Sequence, residues 1–377
     1  MKNVLRDGRS WAWLSLLALL AACSGTSRPQ PSDIAAVEVR QPIETVWSAR
    51  VGDIRFPLTM GLAQGRAAVA DSQGEVVLLD AVNGREVWRV ALKEAVASGV
   101  GTDGEQVALV TRSNQLVVLH QGRERWRAVL PAESFTAPVV AGGRVFVLNA
   151  NRSVSAFDGN TGRKLWTQQR AGEPLVLRQA GVLMPFKNTL VAGFAGRMAG
   201  LNPNTGQPVW EVAIATPRGT NDMERLVDLL GPAHRAGDGV CVRAFQSQVG
   251  CVDAQRGQAV WTRPSVGERA IGGNDTLVLS TLSNGTVQAH RRSDGERLWE
   301  SERLKYRQLS APLVTPRGVL IADSGGWLYL LSAQDGRLLN RIRLEGQQEL
   351  AAPAVLGEAD RVVLVSRDGR ISGLRLP

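Results

Sequence analysis

Short runs of β-branched and other apolar residues recur along the whole chain, separated by turns rich in glycine, asparagine and aspartate. Gly74–Asp80, Arg144–Leu148 and Arg361–Val365 are typical runs. Their short length and two-residue periodicity are typical of strands in antiparallel sheets. Ala-Pro pairs open further runs, as at Ala137-Pro138 and Ala311-Pro312. The pattern predicts an all-β protein with frequent turns.

A longer repeat organises these runs. Its clearest copy is residues 158–166, Asp-Gly-Asn-Thr-Gly-Arg-Lys-Leu-Trp, in which a turn leads into a strand that carries tryptophan. Seven of the ten tryptophans occupy this slot: Trp47, Trp88, Trp126, Trp166, Trp210, Trp261 and Trp299. Successive copies, the last with Asn340 in place of tryptophan, lie 38 to 51 residues apart. Four strands in about 42 residues match the size of a propeller blade, so the repeat predicts an eight-bladed β-propeller of four-stranded antiparallel blades.

The residue types in the repeat suit such a blade. Aspartate or asparagine at the start of the turn caps the following backbone, and glycine supplies the positive φ that a tight hairpin needs. We expect the tryptophan to lie on the outer strand, where its large surface fills the wedge between neighbouring blades. The tryptophans of the repeat are therefore interpreted as structural.

The two ends of the chain each supply an incomplete blade. Three predicted strands follow Asn340, whereas Glu44–Trp47 is an outer strand without a blade of its own. Joining the two completes an eighth sheet and leaves no open edge in the ring. We therefore expect residues 41–377 to form one propeller, closed by its N-terminal strand.

The first residues have the organisation of an export signal. Basic residues precede an apolar stretch over residues 11–20, which is too short to cross a bilayer as a permanent helix. The stretch ends in Leu-Ala-Ala-Cys at residues 20–23, which resembles the lipobox of bacterial lipoproteins. The resemblance implies that residues 1–22 are a signal peptide and that Cys23 is lipidated, with palmitate among its acyl chains. An ordinary signal peptide cut elsewhere is the alternative.

The residues after Cys23 bear on location. Ser24 stands where aspartate usually marks retention in the inner membrane, so it favours the outer membrane. Three acyl chains exceed the two signals needed for stable anchoring. Residues 23–40 hold few large apolar side chains and are interpreted as the lipidated cysteine with a flexible tether. We therefore expect a lipid-anchored protein of the outer membrane that faces the periplasm.

Composition and charge narrow the class of partner. The 377 residues are 44% hydrophobic and 21% charged, which is ordinary for a globular protein with a hydrophobic core. The net charge is +9, but lysines and arginines are scattered singly through the turns rather than interleaved with aromatic residues. We therefore expect no binding to nucleic acid.

The tryptophan repeat resembles the tryptophan-docking repeat of the quinoprotein propellers, which are PQQ-dependent dehydrogenases. It differs from a WD40 repeat, because residues such as Arg89, Thr167 and Glu300 follow the tryptophan where WD40 carries aspartate. With the lipobox-like sequence, the chain over about residues 12–377 resembles the BamB family of outer-membrane assembly lipoproteins. The resemblance implies a non-catalytic scaffold of the BAM complex that binds the POTRA domains of BamA and aids insertion of outer-membrane proteins. It leaves open direct contact with nascent outer-membrane proteins.

The resemblance also implies a partner-binding surface. In that family a Leu-x-Leu-Arg segment of one blade and an acidic loop of the next contact BamA. Leu175, Leu177 and Arg178 match the segment, and Asp228, with Glu224 before it, matches the acidic loop. The family's second acidic position is Leu230 here, a departure from its charge pattern. Without the resemblance, Leu175 and Leu177 are interpreted as buried strand residues.

The acidic loop falls in the longest interval of the repeat, between Trp210 and Trp261. Insertions in a ring emerge as loops on one face, often the binding face. Met223 and the leucines at positions 226, 229 and 230 have a spacing that predicts a short helix within residues 216–230. A tolerated insertion without a role is the alternative.

The sequence offers no visible catalytic apparatus. The related dehydrogenases carry a vicinal cysteine pair and a calcium site, and neither a Cys-Cys pair nor an aspartate cluster of the calcium-loop type occurs here. His120, His234 and His290 lie far apart, and none has a metal-ligand partner at two to five residues. We expect no enzymatic activity, no cofactor and no metal. A PQQ-dependent dehydrogenase-like propeller and a periplasmic glycan-binding propeller are the alternatives.

Cys241 and Cys251 are the two cysteines besides Cys23. Alignment of the repeats places them on adjacent strands of one blade, facing the same side. In an oxidising periplasm a disulfide between them is plausible. Two small buried hydrophobic side chains are the alternative, and either role is structural.

Overall fold

The computed structural model describes residues 29–34, 42–170, 175–222, 224–346, 349–357 and 361–376. Regular structure in these residues consists of strands. Blade 1 comprises β2 (Gly61–Ala63), β3 (Arg66–Ala70), β4 (Glu75–Asp80) and β5 (Glu86–Ala91). Blade 2 comprises β6 (Val96–Thr102), β7 (Gln106–Thr111), β8 (Gln115–His120) and β9 (Arg123–Val129). Blade 3 comprises β10 (Val139–Ala141), β11 (Arg144–Leu148), β12 (Ser153–Asp158) and β13 (Lys164–Gln169), and blade 4 comprises β14 (Leu183–Phe186), β15 (Thr189–Phe194), β16 (Arg197–Leu201) and β17 (Pro208–Ala213).

The second half of the ring repeats this order. Blade 5 comprises β18 (Leu229–Ala236), β19 (Gly239–Ala244), β20 (Gln248–Asp253) and β21 (Gln258–Pro264), blade 6 comprises β22 (Gly272–Gly273), β23 (Leu277–Thr281), β24 (Val287–Arg291) and β25 (Arg297–Ser301), blade 7 comprises β26 (Leu313–Thr315), β27 (Gly318–Ala322), β28 (Trp327–Leu331) and β29 (Leu338–Arg343), and blade 8 comprises β30 (Val355–Leu356), β31 (Arg361–Val365), β32 (Arg370–Arg375) and β1 (Glu44–Arg50). All pairings within the blades are antiparallel.

The eighth blade closes the ring. Its strand order is β1-β32-β31-β30, so its outer strand comes from the N-terminus and its other three from the C-terminus. Trp47 lies opposite Gly373, and Arg50 lies opposite Arg370. The predicted eight-bladed propeller, closed by its N-terminal strand, is confirmed.

Each tryptophan of the repeat lies on a glycine turn of the following blade. Trp126 of blade 2 covers Gly162 of blade 3, and its indole Nε1 donates a hydrogen bond of 2.9 Å to the Gly159 carbonyl. A Cβ at Gly162 would come within 2.6 Å of the ring, and φ there is +71°, so the position requires glycine. The other pairs are Trp47 on Gly84, Trp88 on Gly122, Trp166 on Gly206, Trp210 on Gly257, Trp261 on Gly295 and Trp299 on Gly336. The indoles therefore fill the wedges between blades, as predicted.

The structure explains why the seventh copy has no tryptophan. An indole at Asn340 would face the turn between the third and fourth strands of blade 8. Those strands, β32 and β1, come from opposite ends of the chain, so no glycine turn joins them. Asn340 is 2% exposed, which leaves little room for a larger side chain. Loss of the tryptophan is therefore a consequence of ring closure.

The hydrophobic core consists of layers between adjacent blades. Between blades 2 and 3, Val110, Val118 and Trp126 pack against Val145 and Phe157.

The polar turns are capped as predicted. In blade 1 the Asp80 carboxylate accepts backbone hydrogen bonds from Val82 (2.9 Å) and Asn83 (3.1 Å).

The predicted short helix within residues 216–230 is wrong. Residues 216–222 and 224–228 form an irregular connection, and Leu229 and Leu230 begin strand β18. Both leucines are buried, at 3% and 2% exposure, and pair with Ala244 and Arg243 of the next strand. The apolar positions that suggested a helix belong in part to a sheet, and their spacing alone does not separate the two.

Some expectations concern residues outside this description. The signal peptide at 1–22 and Cys23 lie outside the described residues, and only residues 29–34 of the tether lie within them. In the described part of the chain, no helix has the length and apolar character needed to cross a membrane.

The two cysteines of blade 5 lie opposite each other. Cys241 of β19 pairs with Cys251 of β20, and their sulfur atoms are joined in a disulfide. Both residues are buried, and they pack in one cluster with Trp261 and Val249. The disulfide covalently links the two central strands of the blade, β19 and β20.

Trp47→Ala is expected to destabilise the ring strongly. Trp47 is 9% exposed and packs between Gly84 and Gly373. Loss of a buried indole costs about 3–5 kcal/mol, so the urea midpoint should fall in a single cooperative step. Val46 precedes it on the same strand and is 37% exposed. Val46→Ala is the control, expected to change stability by about 0.5 kcal/mol or less. Equal, small effects of both changes would contradict the role of the docked indole.

Non-reducing peptide mapping of the protein from the periplasm should recover Cys241 and Cys251 in one cross-linked pair. Replacing both cysteines with alanine should lower the free energy of unfolding by about 2–3 kcal/mol, because the bridge closes a short loop in the unfolded chain. Two free thiols in the mapping experiment would reject the disulfide and leave the two side chains as buried hydrophobic groups.

Candidate functional site

The ring has two faces that differ in the loops they carry. We call the connection face the one with the links between blades and the turns between second and third strands. The opposite face carries the first and last turns of each blade, including the glycine turns that receive the indoles. Four predicted partner-binding residues, Leu175, Leu177, Arg178 and Asp228, lie in links that enter blades 4 and 5, as does Glu224. All five therefore lie on the connection face.

Asp228 joins the two segments that the sequence singled out. One oxygen of its carboxylate accepts a hydrogen bond of 2.9 Å from the Leu177 backbone N–H. The other lies 3.1 Å from Nη1 of Arg152, in the turn between β11 and β12. Arg152 in turn donates through Nη2 to the Leu175 carbonyl, at 2.8 Å. Blades 3, 4 and 5 are thus tied together at the segment 175–178.

The burial of this arrangement decides its role. The side chains of Arg152 and Asp228 are only 8% and 15% exposed. A buried carboxylate is tolerated where its charge is paired and its oxygens accept hydrogen bonds, and both conditions are met here. Asp228 is therefore a positioning residue for the Leu175–Arg178 segment rather than an exposed contact.

Arg178 is the accessible charge of the segment. Its side chain is 77% exposed, and its guanidinium lies 5.5 Å from the centre of the Phe135 ring. The nearest carboxylate, that of Glu133, is 3.7 Å away and itself half exposed. Leu175 is 37% exposed and presents an apolar side chain at the start of the segment. A solvated ion pair of this kind holds the guanidinium only weakly.

A small cleft adjoins Arg178 on the connection face. Apolar side chains line it, among them Phe135, Leu148, Leu177 and Phe194. Asp228 lies at its polar side. The surface therefore combines an apolar recess with an exposed arginine beside it, a composition that suits an energetic centre of a protein interface.

Glu224 is occupied within its own link. Its carboxylate accepts hydrogen bonds from the Thr220 backbone (2.8 Å) and hydroxyl (3.2 Å). These bonds, the backbone one first, hold the pKa of Glu224 below its usual value. Its own N–H donates to the Asn221 side chain. Glu224 shapes its loop, and none of these bonds connects it to the segment 175–178.

Sequence reasoning missed Arg152, Phe135 and Glu133. Arg152 is a single arginine in an ordinary turn, and its partners lie 23 and 76 residues further along the chain. No local pattern carries that information. Phe135 lies two residues before the Ala137-Pro138 pair that opens a blade. This position in the repeat is the one sequence feature that could have placed Phe135 on the connection face.

The described histidines include two buried imidazoles. Burial lowers the pKa of His234 to about 4, with the positive charge of Arg292 acting in the same direction. Burial also lowers the pKa of His290 to about 4. Both imidazoles are therefore neutral near pH 7. Within the described residues no three side chains of histidine, cysteine, aspartate or glutamate are grouped to hold a metal ion.

Comparison with known proteins finds relatives along the whole chain. A sequence-family model described as "Outer membrane protein assembly factor BamB" matches residues 44–97, 72–301 and 283–375. Over 370 residues the chain is 31% identical to the outer membrane protein assembly factor BamB of Burkholderia pseudomallei, with 97% of each chain covered.

Solved structures share the fold. The crystal structure of BamB from Moraxella catarrhalis superposes with a TM-score of 0.80 at 22% identity, covering 89% of this chain and 100% of that one. The quinohemoprotein alcohol dehydrogenase of Comamonas testosteroni gives a TM-score of 0.65 at 13% identity, covering 89% of this chain and 77% of that one. At these identities the likenesses concern the fold alone.

Proposed function

Because the chain belongs to the BamB family of outer membrane protein assembly factors, we propose that it is a non-catalytic scaffold lipoprotein of the BAM complex. In this role it binds the POTRA domains of BamA and aids insertion of outer-membrane proteins. Its location is the outer membrane, on the periplasmic side, with Cys23 as the lipidated residue. The family supports the outer-membrane assembly role directly, and the lipobox-like sequence supports the anchor.

One observation supports the binding surface above all others. The Asp228 carboxylate holds the Leu177 backbone and, through Arg152, the Leu175 carbonyl. The two segments that the family resemblance selected independently are thus parts of one surface. A loop fixed by a buried ion pair loses little conformational freedom on binding, which favours affinity.

The chemistry of the surface indicates what a partner must offer. The exposed guanidinium of Arg178 suits a carboxylate, and the cleft lined by Phe135 and Leu177 suits an apolar side chain. A partner segment with an acidic residue next to an apolar one would satisfy both. Release of Arg178 from Glu133 costs little, because that pair is solvated and long.

The dehydrogenase alternative rests on the fold. The quinohemoprotein neighbour shares the propeller at 13% identity. Fold alone does not transfer an activity, since function depends on specific side chains grafted onto it. We therefore propose that the chain has neither the cofactor nor the reaction of those enzymes.

Arg178→Glu in the lipidated protein should abolish co-purification with BamA from membranes, or weaken it at least about tenfold, because the exposed charge is reversed. The melting temperature should stay unchanged, since the side chain is 77% exposed. Arg163→Glu is the matched control, an exposed arginine in a glycine turn on the other face, and should bind normally. Unaltered binding of Arg178→Glu would refute the surface.

Asp228→Ala separates positioning from contact in the same experiment. Removing the carboxylate leaves Arg152 buried without this partner and frees the Leu177 backbone, at a cost of about 3 kcal/mol. We expect weaker binding to BamA together with a lower melting temperature. Weaker binding at unchanged stability would instead make Asp228 a direct contact.

Calorimetric titration of the purified chain with PQQ in the presence of calcium should give no heat of binding. Saturable, calcium-dependent binding would favour the dehydrogenase alternative. A quinoprotein dehydrogenase run in parallel provides the positive control.

A further inference from the structure

A short part of the tether lies on blade 7. The Ser32 backbone N–H donates to the Lys305 carbonyl at 3.0 Å, and its hydroxyl donates to the Arg303 carbonyl at 2.8 Å. The Arg307 guanidinium donates to the Ser32 carbonyl at 2.9 Å, and Arg341 donates to the Ile34 carbonyl at 3.0 Å. We call residues 32–34 the docked segment.

The groups that hold the docked segment are themselves fixed. Arg307 is paired at 2.9 Å with Asp323, which is 4% exposed and also accepts a 2.7 Å hydrogen bond from the Tyr329 hydroxyl. Arg341 lies 5.1 Å from the centre of the Trp327 ring. Ile34 packs against the apolar cluster between blades 6 and 7. Asp33, which lies between Ser32 and Ile34 in the sequence, is exposed. The segment follows a strand-like alternation of inward and outward side chains.

The surface around the docked segment is basic and aromatic. Arg303, Lys305 and Tyr306 lie in the link between blades 6 and 7, and Arg343 extends over the Trp327 ring at 5.5 Å. Tyr306 is 45% exposed, more than any other aromatic side chain of the described residues. Its backbone has a φ of +61°, which non-glycine residues rarely adopt.

The charges of this surface do not cancel. Five cationic side chains surround the segment: Arg303, Lys305, Arg307, Arg341 and Arg343. Carboxylates stand against them: Glu302 pairs with Lys305 at 3.0 Å, and Asp323 is buried against Arg307. Glu300 and Asp335 line the recess beside Arg303 together with Arg337, and Glu300 pairs with Arg297 at 2.9 Å. Asp33 belongs to the docked segment and is exposed. Arg297 and Arg337 bring the cationic side chains to seven, against these five carboxylates. A net positive, partly aromatic surface remains at the point where the tether meets the ring.

We propose that this surface is where the ring contacts an anionic lipid headgroup layer. Lysine and arginine attract anionic headgroups, and tyrosine and tryptophan side chains favour the boundary between headgroups and acyl chains. Long basic side chains in general place their charges toward water or headgroups while their stems cover apolar surface, and Arg303 is the exposed example here. The connection face at blade 7 is the part of the ring next to the membrane.

The length of the tether agrees with this orientation. Cys23 precedes Ser32 by nine residues, and a chain of that length spans at most about 30 Å. If Cys23 carries the lipids, docking of residues 32–34 keeps the link between blades 6 and 7 within that distance of the bilayer. This step rests on the proposed lipidation, whereas contact of the surface with headgroups does not.

Vesicle sedimentation tests the surface without the anchor. The chain from residue 23 onward, carrying Cys23→Ser, lacks both the apolar leader and the acylation site. It should sediment with phosphatidylcholine vesicles that contain phosphatidylglycerol and stay in solution with phosphatidylcholine alone. The double change Arg303→Glu and Lys305→Glu should weaken binding at least about tenfold, since each basic residue near such a surface contributes severalfold. Tyr306→Asn, which suits the positive φ, should weaken it less.

Matched controls keep the proposal falsifiable. Arg163→Glu with Lys164→Glu makes the same charge change on the other face of blade 3, where both side chains are exposed. That variant should bind nearly as well as the parent chain. Equal loss in both double variants would overturn the proposal and attribute binding to net charge. Absence of binding to either vesicle would also overturn it.

The outcome is separable from that of the BamA surface. Arg178→Glu should bind vesicles like the parent chain, and the Arg303/Lys305 variant, tested with its lipid anchor, should still co-purify with BamA.

A second measurement addresses the docked segment. Amide exchange at Ser32 should be slow in the parent chain and in Asp33→Ala, and at least about tenfold faster in Ile34→Ala. Fast exchange in all three would show that the segment is not held.

Discussion

The contact between an indole and the glycine turn of the next blade is the interaction on which the ring depends. Sheets arranged around an axis diverge toward the rim, and the gap there must be filled. A buried tryptophan removes roughly 150–250 Å² from water, equivalent to about 4–6 kcal/mol at ~25 cal/mol per Å². Trp126 on Gly162 shows why both residues are required, because a Cβ at the glycine would meet the ring at 2.6 Å.

Ring closure imposes a second constraint that follows from the first. The eighth blade takes its outer strand from Glu44–Arg50, so its last two strands share no turn, and Asn340 has no glycine to cover. The same arrangement fixes where the N-terminus enters. Strand β1 belongs to blade 8, and the docked segment 32–34 lies on the adjacent blade 7. The two described N-terminal segments, 32–34 and Glu44–Arg50, therefore contact neighbouring blades.

The repeated parts of the fold could be predicted from the sequence, whereas the structure and contacts of the nonrepeating links could not. The period of Gly and Trp gave the number of blades, their strand order and the closing role of Glu44–Trp47, because each copy obeys the same packing rule. Leu229 and Leu230 were assigned to a helix, since apolar spacing in one nonrepeating interval does not separate helix from strand. Arg152 could not be found at all, because its bond to Asp228 joins residues 76 positions apart. The resemblance selected Arg178 and Asp228 but could not distinguish the exposed charge from the buried one.

The two faces of the ring are under different packing constraints. On the face with the glycine turns, each turn that receives an indole requires glycine, so few substitutions are tolerated there. The links on the connection face carry no such requirement and can differ in length and charge from blade to blade. Arg178, in the link to blade 4, and Tyr306, in the link to blade 7, both lie there. Three blades, 4, 5 and 6, lie between these links, so the proposed protein surface and the proposed lipid surface share no side chains.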